Sequence, residues 1–410
     1  MTLFSRALLL ASISLCGLAH AIELRGLADV RFGATDATRS WTRDGLDKTQ
    51  FDRDSEGLRL GHAFLRLEGD ILYDVSAAVV ASASADRGGL LDVNEAWLSW
   101  NPVPSSPWRM RARLGAFFPP TNLEIDYDSI GWTPARTVSA SAINAWMGEE
   151  LRIQGFEFSL ARKGNQAGSA HDIGFAAALF GRNDPAGSLL AWRGWSIGDR
   201  VTGLTEPIRL ADLPVYRSGG GLPAQARSIH IAREIDNRVG YYLGSHYGHG
   251  DWLRADLLRY NNRGDPLIVK SGQYSWKTTF DHLGVRLQPG GQWTWLGQGL
   301  RGETAMGPNA VRLRYDAWYI LASHPFGAGS LAMRFDRFRA HELPSDILPD
   351  DPNSENGRGL ALAYTRRLGS AVTLVAEVLQ VRSSRSARVL VGAAVDRTEN
   401  SFTAAIRWRF

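Results

Sequence analysis

Hydrophobic and polar residues alternate one for one along much of this chain, most cleanly at its end. Phe402, Ala404, Ile406, Trp408 and Phe410 fall on one parity, and Ser401, Thr403, Ala405, Arg407 and Arg409 on the other. Successive side chains of a strand point to opposite faces. The segment therefore reads as a strand with one aromatic-rich face and one polar, cationic face. The same period recurs upstream. Ile22, Leu24, Gly26, Ala28, Val30 and Phe32 alternate with Glu23, Arg25, Leu27, Asp29 and Arg31. Trp108, Met110, Ala112, Leu114, Ala116 and Phe118 alternate with Arg109, Arg111 and Arg113. Leu331, Met333 and Phe335 alternate with Arg334 and Asp336, and Leu313, Tyr315 and Ala317 with Arg312, Arg314 and Asp316. No window of similar length shows a helical stripe of this clarity.

Turn signals such as Gly88-Gly89, Asn101-Pro102, Pro289-Gly290-Gly291 and Gly369-Ser370 break the alternation into segments. Candidate strands lie near 22–33, 56–69, 71–84, 91–100, 108–118, 150–162, 171–182, 227–235, 239–248, 251–261, 270–288, 291–304, 310–323, 329–341, 358–367, 371–383 and 400–410. Single-chain bacterial barrels carry an even number of strands, so one of these segments is a loop or half of a split strand, and sixteen is the expected count. Short links at 68–70, 101–107, 289–290 and 368–370 alternate with long Gly-, Pro- and Asp-rich stretches at 34–55, 119–149, 183–226 and 342–357. Short turns on one side and long loops on the other fit a barrel inserted from the periplasm. The expectation is an all-β protein: a transmembrane antiparallel β-barrel with long extracellular loops. Trp408 and the terminal Phe410 then read as the assembly signal of the closing strand, presented to the barrel-assembly machinery.

The other end agrees. Arg6 supplies a positive n-region, residues 7–18 an apolar core and Ala19-His20-Ala21 a cleavage site, so 1–21 reads as a signal peptide and 22–410 as the barrel. Cys16, the chain's one cysteine, lies inside the leader. The mature chain has no disulfide framework and no thiolate zinc site. No mature stretch nears 18 consecutive apolar residues, which excludes an inner-membrane helix. Fourteen Trp, eleven Tyr and sixteen Phe are enough to furnish aromatic girdles at two interfaces. A net charge of +4 is too small to point to nucleic acid. Only Lys48, Lys163, Lys270 and Lys277 are lysines; every other cation is arginine, whose planar fork binds carboxylate or phosphate at two points.

Candidate chemistry sits on the charged parity, which must point inward where it crosses lipid: an Arg on the lipid face at mid-membrane costs roughly 2–4 kcal/mol. Arg109, Arg111, Arg113, Arg312, Arg314 and Arg334 are the pore-lining, anion-binding candidates. Two readings of the Arg109–Arg113 column stay open. It either pairs with carboxylates on neighbouring strands or forms a ladder for anions. The segment 119–149 begins with Pro119-Pro120, which cannot continue a central strand. It carries Glu124, Asp126, Asp128 and Arg136, and either folds into the lumen as a constriction or covers the mouth. His246 and His249 complete no metal set, Gly219-Gly-Gly221 lacks a following Lys-Ser, and no Gly-x-Ser-x-Gly elbow appears. No cofactor or enzymatic site is expected. A non-channel barrel, of phospholipase type or an adhesion or assembly scaffold, is the alternative to a passive channel.

The stretch Arg113-Leu-Gly-Ala-Phe-Phe-Pro-Pro-Thr-Asn-Leu-Glu124 resembles the strand-to-loop motif of the porin O/P group, the phosphate- and polyphosphate-selective outer-membrane porins. Glu95-Ala-Trp-Leu and the terminal Phe410 fit as well. The resemblance implies a sixteen-stranded, trimeric barrel in outer-membrane lipid and lipopolysaccharide, passing small anionic or polar solutes. The chain departs from that group in its scarcity of lysine and its many acidic partners, so only Arg109, Arg111 and Arg113 are carried over from it.

Overall fold

The alternating segments close on themselves. The computed structural model describes residues 22–87, 91–125, 130–308, 310–343, 348 and 350–410. Among them, sixteen antiparallel strands form one closed barrel. They are β1 (Glu23–Thr35), β2 (Gly57–Leu72), β3 (Val75–Ala83), β4 (Asp92–Trp100), β5 (Trp108–Phe117), β6 (Ile153–Arg162), β7 (His171–Gly181), β8 (Gly240–His249), β9 (Leu253–Asn261), β10 (Lys277–Leu287), β11 (Thr294–Met306), β12 (Val311–Phe326), β13 (Gly329–Glu342), β14 (Glu355–Leu368), β15 (Val372–Arg385) and β16 (Asp396–Arg409). The surplus segment is 227–235. Its charges, Arg227, Arg233 and Glu234, occupy both parities, and only Ser228–Ile229 is extended, paired with Ile208–Arg209 inside a loop. The link expected at 68–70 falls inside β2 instead, and the turn lies at Tyr73–Asp74.

Closure runs through the chain's last residues. β16 pairs with β1, Trp408 opposite Ala28, and the Phe410 N–H donates to the Gly26 carbonyl at 3.0 Å. No edge strand is left, which is the condition for a sheet to sit in lipid. The outer face carries Val30, Phe32, Leu98, Leu114, Phe156, Phe175, Leu179, Leu257, Ile320, Met333, Phe335 and Ile406, all exposed. A band of this size would be untenable in water. A closed barrel with such a belt is an outer-membrane protein. The short turns share one end with both ends of the barrel chain, which makes that end periplasmic.

The core lies inside the cylinder, and loops supply much of it. Residues 183–192 and 194–199 of the β7–β8 loop are buried without exception, as are 137–151 of the β5–β6 loop. The β5–β6 loop contains α1 (Ala142–Glu150), capped by Ser141, whose hydroxyl accepts the Asn144 N–H at 3.3 Å. The β7–β8 loop contains the short α2 (Ser188–Trp192). Trp146 on α1 meets the wall residues Phe280 and Tyr315 edge-on at 5.6 and 5.5 Å, and Trp195 of the other loop at 5.9 Å. Burying one such indole contributes roughly 4–6 kcal/mol, before the entropy of ordering its loop is subtracted.

Candidate functional site

Inward arginines of the wall hold the loops in place. Arg31 on β1 donates Nη1 and Nη2 to the two carboxylate oxygens of Asp199, each at 2.9 Å, and Nε to Asp29 at 2.7 Å. Arg407 on β16 takes the other Asp29 oxygen at 2.8 Å and the carbonyls of Pro134 and Thr137 at 2.7 and 3.1 Å. Arg334 on β13 meets Asp336 at 2.8 Å, Glu124 at 3.5 Å and the Ser139 carbonyl at 2.5 Å. Arg385 on β15 reaches Glu355 at 2.9 Å and the Ala191 carbonyl at 2.7 Å. All four guanidiniums are buried. An isolated charge there would be prohibitive, so each is satisfied by carboxylates and loop carbonyls together. Burial would raise the Asp199 carboxyl, but Arg31 holds it below the ordinary carboxylate range. Burial lifts Glu124 above that range against the pull of Arg334. Lys48, in the β1–β2 loop, is lowered to about 7 by burial while Glu355 pulls the other way.

The β5–β6 loop therefore folds into the lumen rather than over the mouth. Glu124 is buried there, accepting from the Ser141 N–H at 2.6 Å and the Asn144 amide at 2.8 Å. Asp126 and Asp128 lie outside the described residues. The β7–β8 loop also enters, which sequence reasoning missed. The signal was the apolar run Leu189-Leu-Ala-Trp192 inside an otherwise loop-like stretch, a run that would not stay in water.

Beneath the loops, in the periplasmic half of the lumen, a cavity of about 670 Å³ remains. Pro120 to Leu123 and Ile125 roof it. Its described lining holds Arg66, Arg111, Arg113, Arg136, Arg254 and Arg286 against Glu95, Glu157 and Asp256. Arg113 is paired with Glu157 at 2.8 Å, Arg254 with Asp256 at 2.9 Å and Arg66 with Glu68 at 2.7 Å. Arg111 and Arg286 have no carboxylate within 4 Å among the described residues. Arg111 instead donates Nε to the Ser99 hydroxyl at 3.0 Å and lies 5.3 Å from the Trp97 ring. The buried Arg286 Nε has no hydrogen-bond partner, and Arg286 stands directly opposite Arg254 in the β9–β10 register. Cations in a low-dielectric concavity focus a positive potential into it.

The arginine candidates separate into four fates. Arg109, Arg111 and Arg113 share the inward parity, but Arg109 is exposed at the periplasmic rim, 3.4 Å from Gln166. Arg136 lines the cavity. Arg334 points inward but is consumed as a loop anchor, so it is not an open anion site. Arg312 and Arg314 do not line the pore. They lie on the outer wall, half-exposed, both paired with Glu303; Asp316 lies outside as well, paired with Arg339. The reason is the loop plug. Leu313, Tyr315, Ala317, Tyr319 and Leu321 are buried inward, several of them against α1, so here the apolar parity faces the lumen. Arg66, Arg254 and Arg286 were not singled out from sequence, although Leu65-Arg66-Leu67 and Val285-Arg286-Leu287 show the same alternation. Trp408 and Phe410 lie on the outer face, rings 4.6 Å apart.

At the mouth, Asp184, Glu234 and Asp236 bring carboxylate oxygens within 4.8 Å of one another. Asp184 accepts the Ile235 and Asp236 N–H groups at 2.5 and 3.2 Å, so the trio ties the root of the β7–β8 loop to its return.

The architecture is that of a sixteen-stranded outer-membrane β-barrel. No family model and no curated relative matches the sequence. Solved structures do match the fold. The outer membrane channel DcaP of Acinetobacter baumannii aligns at a TM-score of 0.57 and 10% identity, over 95% of this chain and 97% of its own. An anion-selective porin from Comamonas acidovorans aligns at 0.52 and 13%, over 95% and 100%. Pseudomonas putida OprB aligns at 0.51 and 10%, over 99% and 96%.

Proposed function

We propose that this protein is a passive outer-membrane channel for small hydrophilic solutes, with a moderate preference for anions such as phosphate. The observation that carries the reading is the vestibule: among the described residues Arg111 and Arg286 face it with no carboxylate within 4 Å, while Arg66, Arg113 and Arg254 are each paired with a carboxylate. A wall of bare cations would select strictly, whereas this mixture biases. Barrels of sixteen strands are wide enough for an aqueous path. The similarity in fold to an anion-selective porin supports the reading, as do the other channel neighbours. The resemblance to the porin O/P group rests on the 113–124 motif, and a trimer is the assembly that goes with it. The loops in the upper lumen act as the constriction.

The test is the reversal potential across a planar bilayer under a salt gradient. Wild type is expected to favour anions at low salt. Arg111→Gln with Arg286→Gln should move the potential toward cations, and the difference should shrink in high salt through screening. Equal reversal potentials for wild type and double variant would refute the anion reading, and absence of conductance in the wild type would refute the channel.

A further inference from the structure

We infer that the outer wall carries a binding site for a phosphorylated glycolipid of the outer leaflet, built on Arg337, Arg358 and Arg382. The three residues sit on β13, β14 and β15 and are direct register neighbours, Arg337 opposite Arg358 and Arg358 opposite Arg382. All are exposed on the lipid-facing parity. Like charges directly opposite one another on adjacent strands, which are 4.7–4.9 Å apart, repel. Elsewhere on this rim the wall supplies counter-charges: Asp281 for Arg259, Glu303 for Arg314, Asp316 for Arg339. In the row itself no carboxylate lies within 4 Å of any of the three among the described residues. Arg382 donates only to the neutral Gln380, at 3.1 Å.

The level of the row fits a lipid headgroup. Trp318 stands opposite Arg337 and extends the row to β12. From Phe326 at the periplasmic end of β12 to Trp318 is roughly 26 Å along the strand, about 20 Å of height at the usual strand tilt, which sets the row in the outer part of an apolar band about 25 Å tall. Aromatics mark the membrane interface, where an outward Arg costs roughly 0–1 kcal/mol. One step toward the periplasm the same face carries Phe335 and Leu360, open to acyl chains; one step outward the row runs Arg339 (paired with Asp316), Asn356, Ser384 and Asp396, polar groups suited to sugar hydroxyls. A shallow groove of about 700 Å³ runs over this patch. Apolar below, tri-cationic at the interface and polar above is the order of groups in a phosphorylated glycolipid. A second copy related by a two-fold axis would set arginine against arginine, whereas a heterologous trimer contact would not, and the oligomeric state of the variant separates that occupant from lipid.

The test uses the mature protein folded in detergent micelles, with bisphosphorylated lipid A as probe and its dephosphorylated form as control, binding read by native mass spectrometry. Wild type should retain the phosphorylated form. Arg337→Gln, Arg358→Gln and Arg382→Gln together should weaken it roughly 100-fold, about fivefold per charge. Heat-modifiable gel mobility reports that the barrel is folded; if the triple variant is not, Arg358→Gln alone should weaken binding about fivefold. Equal affinity of wild type and folded variant would overturn the assignment. So would equal binding of dephosphorylated lipid, displacement by inorganic phosphate alone, or a shift of the variant to a smaller oligomer. Bilayer reversal potentials should not change, so failure here is separable from failure of the channel reading.

Discussion

Replacing Asp199 by Ala should release the β7–β8 loop from the lumen and raise conductance without unfolding the barrel. In the folded protein Arg31 spends two of its nitrogens on Asp199 and one on Asp29, and both side chains are fully buried. The variant leaves Arg31 with one charged partner, and that partner, Asp29, is already shared with Arg407. Removing one member of a buried pair costs about 3–5 kcal/mol. At 1.4 kcal/mol per decade, about 4 kcal/mol lowers the ratio of packed to released loop nearly 10³-fold. The wall does not share the loss, because its interstrand ladder is untouched. Asp199→Asn, which keeps one acceptor, should fall between. The assay is single-channel conductance, with labelling of a cysteine placed at Ser188 as a report of loop exposure. Conductance and labelling unchanged in Asp199→Ala would refute the claim that this pair holds the plug.

A Cβ at Gly61 would overlap the Arg31 guanidinium and the Asp29 carboxylate. Gly61→Val should therefore release the loop in the same labelling assay, at about 1–3 kcal/mol, and an unlabelled Ser188 position would contradict this. Deleting Phe410, or replacing it by Asp, should reduce outer-membrane levels while leaving export to the periplasm intact, as read by fractionation; normal membrane levels would count against an assembly role. Burial, with Asp236 and Glu234 nearby, raises Asp184 from 3.8 to about 7. The folded state thus holds this proton more tightly than the unfolded chain. Its stabilisation is complete below about pH 4 and is lost as pH rises to about 7. Hydrogen-exchange protection factors in 182–239, with the intrinsic pH dependence divided out, should fall over that interval in wild type and much less in Asp184→Asn.

The wall was legible because its signal is local. Alternation at 108–118 or 400–410 needs no knowledge of neighbours, and the parity of Arg111, Arg113, Arg334 and Asp336 followed from the cost of charge in lipid. The contents of the lumen were less legible because they depend on contacts distant in sequence. Glu124 was visible as a loop acid, but its partners Arg334 and Gln298 (through Asn144) lie on β13 and β11. The unpaired state of Arg286 depends on which strand lies beside β10, and no pattern within 277–287 encodes that. α1 escaped notice because it is buried on every side, which erases the stripe that announces a surface helix.

Arg312 and Arg314 show what alternation alone leaves open. It separates two faces of a strand without saying which meets lipid, and the assumption that charge points inward presupposes a wet lumen. Here loop residues, among them Trp146, Trp192 and Trp195, pack against part of the upper wall, so the apolar wall residues beside them turn toward the lumen. The distinguishing mark lies further along the same parity. Arg312, Arg314 and Asp316 continue into Trp318 and Ile320; Arg337 and Arg339 follow Met333 and Phe335; Arg358 precedes Leu360 and Leu362. A parity that runs from apolar to charged along one strand is a face passing out of the membrane. Arg334 and Asp336 share no such run, since Ala332, Phe338 and Ala340 on their parity are all buried against the interior. That a charged parity extends into a lipid-facing one on β12, β13 and β14 together places the cations of all three strands at one interface, outside the barrel. Pore-lining arginines are then to be sought where the charged parity never becomes lipid-facing, as on β5 and β10.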